Sequence, residues 1–251
     1  MIELDELVNF LDQELRTKEI SDYPGAMNGL QLANSGKISR IIGAVDASLS
    51  VVEAAAQDKN CLLIVHHGMF WQAPQPITHS VYRKLKRAMD ADLAIYSSHL
   101  PLDVHPELGN NSGLARAIAL NNIQPFFDHK GQRLGLRGSW AGSRAELLDS
   151  VSTAVSGPVH LCPGGPENQL LVGLITGGAG SEVAKVAACG VDTFITGEGP
   201  HWSYPLAEEL GVNLFYAGHY ATETFGVKSI LALLGARFEL PTTFVHRPTG
   251  L

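Results

Sequence analysis

Apolar residues Ile2, Leu4, Leu7, Val8, Leu11 and Leu15 recur at helical spacing, so the chain is expected to open with an amphipathic helix whose acidic face is solvated. The next stretch, "SDYPGAMNGLQLANSG", is rich in turn formers and reads as a connection. From "ISRIIGAVD" onward the period changes. Short β-branched runs alternate with helical stretches: "SLSVVEAAAQ" is a helix, "CLLIV" a strand, "VYRKLKRAMDAD" a helix and "LAIYSSH" a strand. This βαβαβ order is the signature of a parallel sheet.

Between about residues 104 and 165 the rhythm breaks. "HPELGNNSGLARAIAL" is a helix, and Pro- and Gly-punctuated connections follow as far as "CPGGPENQ". Then the alternation resumes with "LLVGLITGG" as a strand, "SEVAKVAACG" a helix and "VDTFITGEG" a strand. "YPLAEELG" as a helix, "VNLFYAGH" a strand, "TETFGVKSILALLGARF" a helix and "TTFVHR" a strand complete it. The stretches "GAVDASLSVVEAAAQDKNCLLIVHHG" and "GLITGGAGSEVAKVAACGVDTFITGEG" share one plan: strand, small-residue turn, helix, strand, polar tip, glycine. The expected fold is α/β, with two similar halves, 1–125 and 126–251, each built on a mostly parallel sheet. A shared local topology without duplication would give the same pattern.

In parallel sheets, ligands gather beyond the carboxyl ends of the strands, where loops converge. "CLLIV" ends in His66 and His67, "LAIYSS" in His99 followed shortly by Asp103, "DTFIT" in Gly197 and Glu198, and "NLFYAG" in His219 with Glu223 four residues on. With a helix starting near Tyr220, His219 and Glu223 project to the same side, a common way to place two ligands on one cation. Even three of these histidines and two of these carboxylates exceed one tetrahedral zinc site and suit two divalent ions roughly 3.5–4 Å apart. Imidazole and carboxylate without thiolate fit Zn, Fe, Mn or Co alike.

Composition narrows the partners. The 251 residues are 45% hydrophobic and 17% charged, ordinary globular usage, and the formal charge of −7 provides no basic footprint for nucleic acid. A small anionic substrate drawn to a cationic centre remains open. Cys61, Cys162 and Cys189 form no C-x-x-C pair, which argues against a disulfide framework or zinc ribbon. With no basic n-region and no apolar run near the ~20 residues that cross a bilayer, a cytoplasmic protein that does not engage membranes is expected.

The motifs "IVHHG", "HLPLDVHPELGNN", "DTFITGE" and "AGHYATE", with "NGLQ" near the start, resemble the Nif-three-like dinuclear metal-centre family, the GTP cyclohydrolase I type 2 homologues. The resemblance runs through essentially the whole chain, in order. It implies metal ligands at His66, His67, Asp103, His219 and Glu223, with His99 a polar neighbour. It also implies two α/β halves with the metal site between them, and a toroidal homohexamer whose sites face an internal cavity. The insertion that some relatives carry between the halves is absent.

Two ions at such a centre would activate water for hydrolysis, with His99 or Glu198 moving protons. The resemblance names GTP as substrate, its guanine imidazole ring opened with loss of formate. A protein that binds or handles metal without turnover, or serves in assembly, is the alternative. Weaker signals remain. "TGGAGSEVAK" is either a phosphate cradle or a plain tight turn. His201 and Trp202 either stack a ring or pack locally, and His79, His129, His160 and His246 read as structural or surface residues.

Overall fold

The β-branched runs pair as their order predicts. In the computed structural model, which describes residues 1–71 and 76–251, the strands Arg40–Asp46, Cys61–His67 and Ala94–Ser97 lie side by side and parallel. Thr242–Phe244 adds a parallel edge beside the first of these, and Gly29–Leu32 an antiparallel edge beside the last. This five-stranded sheet belongs to a compact unit made of Met1–Leu102 and Gly226–Arg247. Its core packs Ile42, Ala44, Leu63 and Val65 of the strands against Val51 and Val52 of the helix Leu49–Ala55 and Ala88 of the helix His79–Asp90. The Ser48 hydroxyl starts the first of these helices by accepting from the Val51 amide. Gly43 lets the helix Thr224–Phe238 lie close over the sheet; a Cβ there would sit 2.6 Å from Val227 and 2.7 Å from Leu231.

The second unit, Asp103–Phe225 with Pro248–Leu251, holds a six-stranded sheet. Asn168–Leu174, Thr193–Thr196 and Asn213–Tyr216 are its parallel centre. Gln132–Ser143 flanks them antiparallel on one side and His160–Pro163 on the other, with Asn121–His129 outermost beside Gln132–Ser143. Only two of its five pairings are parallel, so this sheet is mixed where a mostly parallel one was expected. Leu170, Val172, Leu174, Ile195 and Phe215 form its core with Leu147 and Val151 of the helix Arg144–Val155.

The middle of the chain departs from the sequence reading. Where connections were expected, Asn121–His129 and Gln132–Ser143 form a long hairpin turned by Lys130 and Gly131, both at positive φ. The helix Arg144–Val155 follows, started by a capping box between Ser143 and Glu146. "NGLQ" supplies an edge strand where a turn was expected. The two units and the expected halves also divide at different places: the strand Asn121–His129 runs across residue 125, and the chain returns to the first unit at Gly226.

Cys61 and Cys162 are buried and Cys189 is exposed. Burial, aided by the Asp58 carboxylate, pushes the Cys61 thiol up to about 11. Iodoacetamide at pH 8 is therefore expected to alkylate Cys189 in the folded protein and spare Cys61, with peptide mass mapping as the check. Modification of Cys61 at the rate of Cys189 would contradict the burial. No helix among the described residues is long and apolar enough to cross a membrane.

Candidate metal centre

In the first unit, strand register assembles the polar groups. Asp46 ends its strand directly opposite His67, and the Asp46 carboxylate accepts from His67 Nδ1 at 2.9 Å. The neighbouring strand continues past Ser97: the Ser98 amide donates to the Val65 carbonyl, and the Ser98 carbonyl accepts from His66 Nδ1 at 3.0 Å. His99 follows, its Nδ1 on Asp22 at 2.9 Å. Asp22 also accepts from the amides of Tyr23 and Leu100 and from the Asn28 side chain. Burial would raise its pKa, but the hydrogen bonds from His99, Asn28 and Tyr23 outweigh burial and hold the carboxyl below its ordinary value. The rings of His66, His67 and His99 lie with centroids 4.7–5.7 Å apart. One potential ligand atom from each falls within 4.8 Å of the others. Trp71 packs its ring edge-to-face at 5.3 Å from His67 and 4.7 Å from His99.

The second unit repeats the device with other residues. Beyond the last strand hydrogen bonds, Gly197 donates to the Gly177 carbonyl and Gly218 to the Gly197 carbonyl, which stitches three loop starts together. His219 then begins a short helix, His219–Thr222, with Glu223 capping its end. His219 Nδ1 lies 2.9 Å from Glu198 and Nε2 lies 3.2 Å from Glu223, so the expected i, i+4 pair is formed. Burial would lower the His219 pKa, but Glu223 and then Glu198 reverse that and push it up to about 9. An imidazole nitrogen and a carboxylate oxygen at this separation suit one cation as well as one proton. Asp103 is buried, and its carboxylate accepts from the Asn110 amide at 2.8 Å and from the Thr176 hydroxyl at 3.5 Å. Asn111 ties down the Asp103 backbone and accepts from the Thr176 amide.

The glycine turn serves the carboxylate. Gly177 donates its N–H to the Thr222 hydroxyl, Ala179 to the Thr196 hydroxyl and Gly180 to the Glu198 carbonyl. A phosphate cradle needs such amides convergent on the anion, and these three are engaged within the unit, which supports the tight-turn reading. Gly177 stands at φ +73° with the Glu223 carboxylate against it: a Cβ there would lie 2.3 Å from Glu223 Oε1.

Glu198 therefore meets His219 directly. Trp202 is half exposed, consistent with a loop position. Asp22, Asp46 and Asn110 were missed in the sequence. Asp46 had a usable signal, since it ends the strand that precedes "LLIVHH", whereas Asp22 sits in a turn with no pattern to mark it.

The Duf34/NIF3 (NGG1p interacting factor 3) family model matches residues 2–249. A GTP cyclohydrolase 1 type 2 homolog of Deinococcus radiodurans is 40% identical over 98% of this chain and 94% of its own length. One from Pyrococcus abyssi is 35% identical over the full length of both. Among solved structures, the protein TTHA1606 from Thermus thermophilus superposes with a TM-score of 0.90 at 34% identity, covering all of both chains. Reduced HcgD from Methanocaldococcus jannaschii gives 0.88 at 28% identity over 98% of each.

Proposed function

The chain belongs to the Duf34/NIF3 family, and from that premise we propose that it is a dinuclear metal-dependent hydrolase acting on a nucleotide ring, with GTP as the first substrate to test. The observation that carries this reading is the treatment of the histidines. Each of His66, His67, His99 and His219 engages an oxygen acceptor through Nδ1: a backbone carbonyl for His66, and Asp46, Asp22 and Glu198 for the others. In His66, His67 and His99 such bonding puts a proton on Nδ1 and leaves Nε2 as the ligand atom, the arrangement found around metal-ligating histidines; in His219 the Nε2 side meets Glu223, where a cation would take the place of the proton.

In this reading His66, His67, Asp103, His219 and Glu223 hold the ions, which are Zn, Fe, Mn or Co. Two divalent ions supply Lewis acidity, lowering the pKa of water and stabilising developing negative charge. The chain's own residues orient and shuttle. Asp46 and Glu198 hold the rings of His67 and His219 in one orientation, and Asn110 does the same for the Asp103 carboxylate. Glu198, whose side chain is 41% exposed, is the proton-transfer group because it is polar, accessible and already bonded to His219. Hydrolysis of guanine by this route consumes one water to open the imidazole ring and a second to release formate. The relatives named GTP cyclohydrolase 1 type 2 homolog support that substrate. The proposed assembly is the toroidal homohexamer that the family resemblance implies.

The test is formate release from GTP by metal-loaded protein, followed with a coupled dehydrogenase and by the ultraviolet change of ring opening. Both signals should vanish with chelator and in Glu223→Gln, which weakens a buried carboxylate donor. Tight metal binding with no formate, and no turnover of phosphoesters or peptides, would overturn the enzyme and favour a metal-handling protein.

A further inference from the structure

We propose that the cavity between the hairpin and the segment running from Asp103 into the helix Asn110–Ala117 is a binding site for a small organic anion. Its ligand is one apolar ring or short branched chain bearing a carboxylate or phosphate, and Arg116 and Arg133 hold the charge. The site lies wholly within the second unit and does not depend on the metal-centre reading.

Size and apolar lining define the body of the ligand. The cavity measures about 250 Å³, below the roughly 300–1,000 Å³ of sites that enclose drug-sized molecules. A single ring with its head group fits there, and a nucleoside triphosphate does not. Val104, Ile123, Leu134 and Leu136 give the cavity its apolar walls. Ile123 reaches it through an irregularity: the hairpin register shifts between Asn121 and Gln124, with Asn122 at φ +53°, and Ile123 is left 40% exposed. Bulges of this kind re-aim side chains, and the one re-aimed here lines the cavity.

The polar groups on the wall define the head. Asn111 spends both amide hydrogens on the Asp103 and Leu134 carbonyls, and the Ser112 hydroxyl donates to the His105 carbonyl. The uncommitted side-chain donors on the wall therefore belong to the two arginines. Arg116, on the helix, uses one amino group on the Glu107 carbonyl at 2.7 Å and forms no ion pair among the described residues. Arg133, on the strand Gln132–Ser143, meets Asp128 only at 4.0 Å with 60% of its side chain exposed, a pairing that costs little to give up. Asp103, the one acidic residue on the wall, is buried with Asn110 donating to its carboxylate. Two guanidinium forks, one from the helix and one from the strand, match the paired oxygens of a carboxylate or phosphate. In a chain of formal charge −7, their meeting at one apolar cavity is a local reversal of sign.

The experiment follows the ¹³C methyl resonances of Val104, Ile123, Leu134 and Leu136 in the full-length protein during titration with phenylacetate, phenyl phosphate and neutral phenylacetamide. At least one of the two anions should shift these methyls together and saturate, and the better of the two names the head group. Phenylacetamide, which keeps the shape and lacks the charge, should bind at least 10-fold more weakly. Arg116→Gln/Arg133→Gln should lose at least 10-fold in affinity for the anion and melt with the wild type, since both side chains are exposed. The comparison of anion with amide uses the unaltered sequence and holds even where the variant fails to fold.

The proposal is overturned if neither anion moves the four methyls, if the amide binds as tightly as the anions, or if a folded double variant keeps wild-type affinity. Inorganic phosphate that binds as tightly as phenyl phosphate would also overturn it, because the apolar walls would then contribute nothing.

Discussion

Gly177→Ala is expected to strip the protein of most of its metal and to lower its melting temperature, although Gly177 offers no ligand. Two costs coincide at this position. The backbone stands at φ +73°, which an L side chain occupies at a cost of about 1–2 kcal/mol. The new methyl group would also lie 2.3 Å from Glu223 Oε1, so the carboxylate must move by more than an ångström or the turn must open. Displacing a candidate ligand by that much should weaken cation binding on the order of 100-fold, the upper range for disturbing a ligand's support. Gly178→Ala is the matched control: its Cβ would meet nothing closer than 3.5 Å. Zinc titration and thermal unfolding of the two variants side by side decide the matter. Equal, wild-type behaviour of both would mean that Glu223 does not need its present place.

The ligand substitutions divide in a way that burial dictates. His67→Ala removes a half-buried ring whose partner Asp46 is reachable by solvent, so metal content should fall well below the wild-type ratio while the melting temperature holds. Asp103→Ala should lose metal and stability together. The Asp103 carboxylate is buried with Asn110 and Thr176 bonded to it, and its removal loses the Asn110 bond in a buried setting, at about 1–3 kcal/mol, while Thr176 keeps Asn111 as an acceptor. Asp103→Asn keeps the shape and separates the two effects. Full metal retention in His67→Ala and Asp103→Asn would remove both from the ligand set, and an unchanged melting point in Asp103→Ala would contradict its buried network.

Much of this arrangement was legible because periodicity reports burial. The runs that end in His66, Thr196 and Tyr216 are continuous and apolar, as strands covered on both faces must be, and their polar tips stand out against them. The hairpin of 121–143 was not legible for the opposite reason. Asn121 to Pro125 form an exposed edge, so "NNIQP" carries no apolar alternation for the eye to follow. The helix Arg144–Val155 carries a start signal in Ser143 and Glu146, three residues apart, that the reading of this stretch as connections passed over. At the centre, residues that would touch a cation could be named from strand ends, but those that hold them could not. Asp22 reaches His99 across 77 positions of sequence, and nothing local in "SDYPG" encodes a contact that only the folded chain creates. The role of Gly177 was hidden as well, because a glycine before a helix suggests a phosphate turn as readily as space for a carboxylate.

The pairing of Thr242–Phe244 with Arg40–Asp46 imposes an order on biosynthesis. A ribosome delivers the strand that ends in Asp46 some 200 residues before the strand that borders it, and the helix that lies over Gly43 arrives nearly as late. Throughout that interval the nascent sheet has an open flank one strand away from the two histidines. The second unit, which lacks only its last four residues, has by then emerged almost entire. Completion of the sheet that carries the histidine pair is thus timed by Thr242–Phe244, and the first turn of the helix that carries His219 waits later still, because its Tyr220 amide donates to the Leu251 carbonyl.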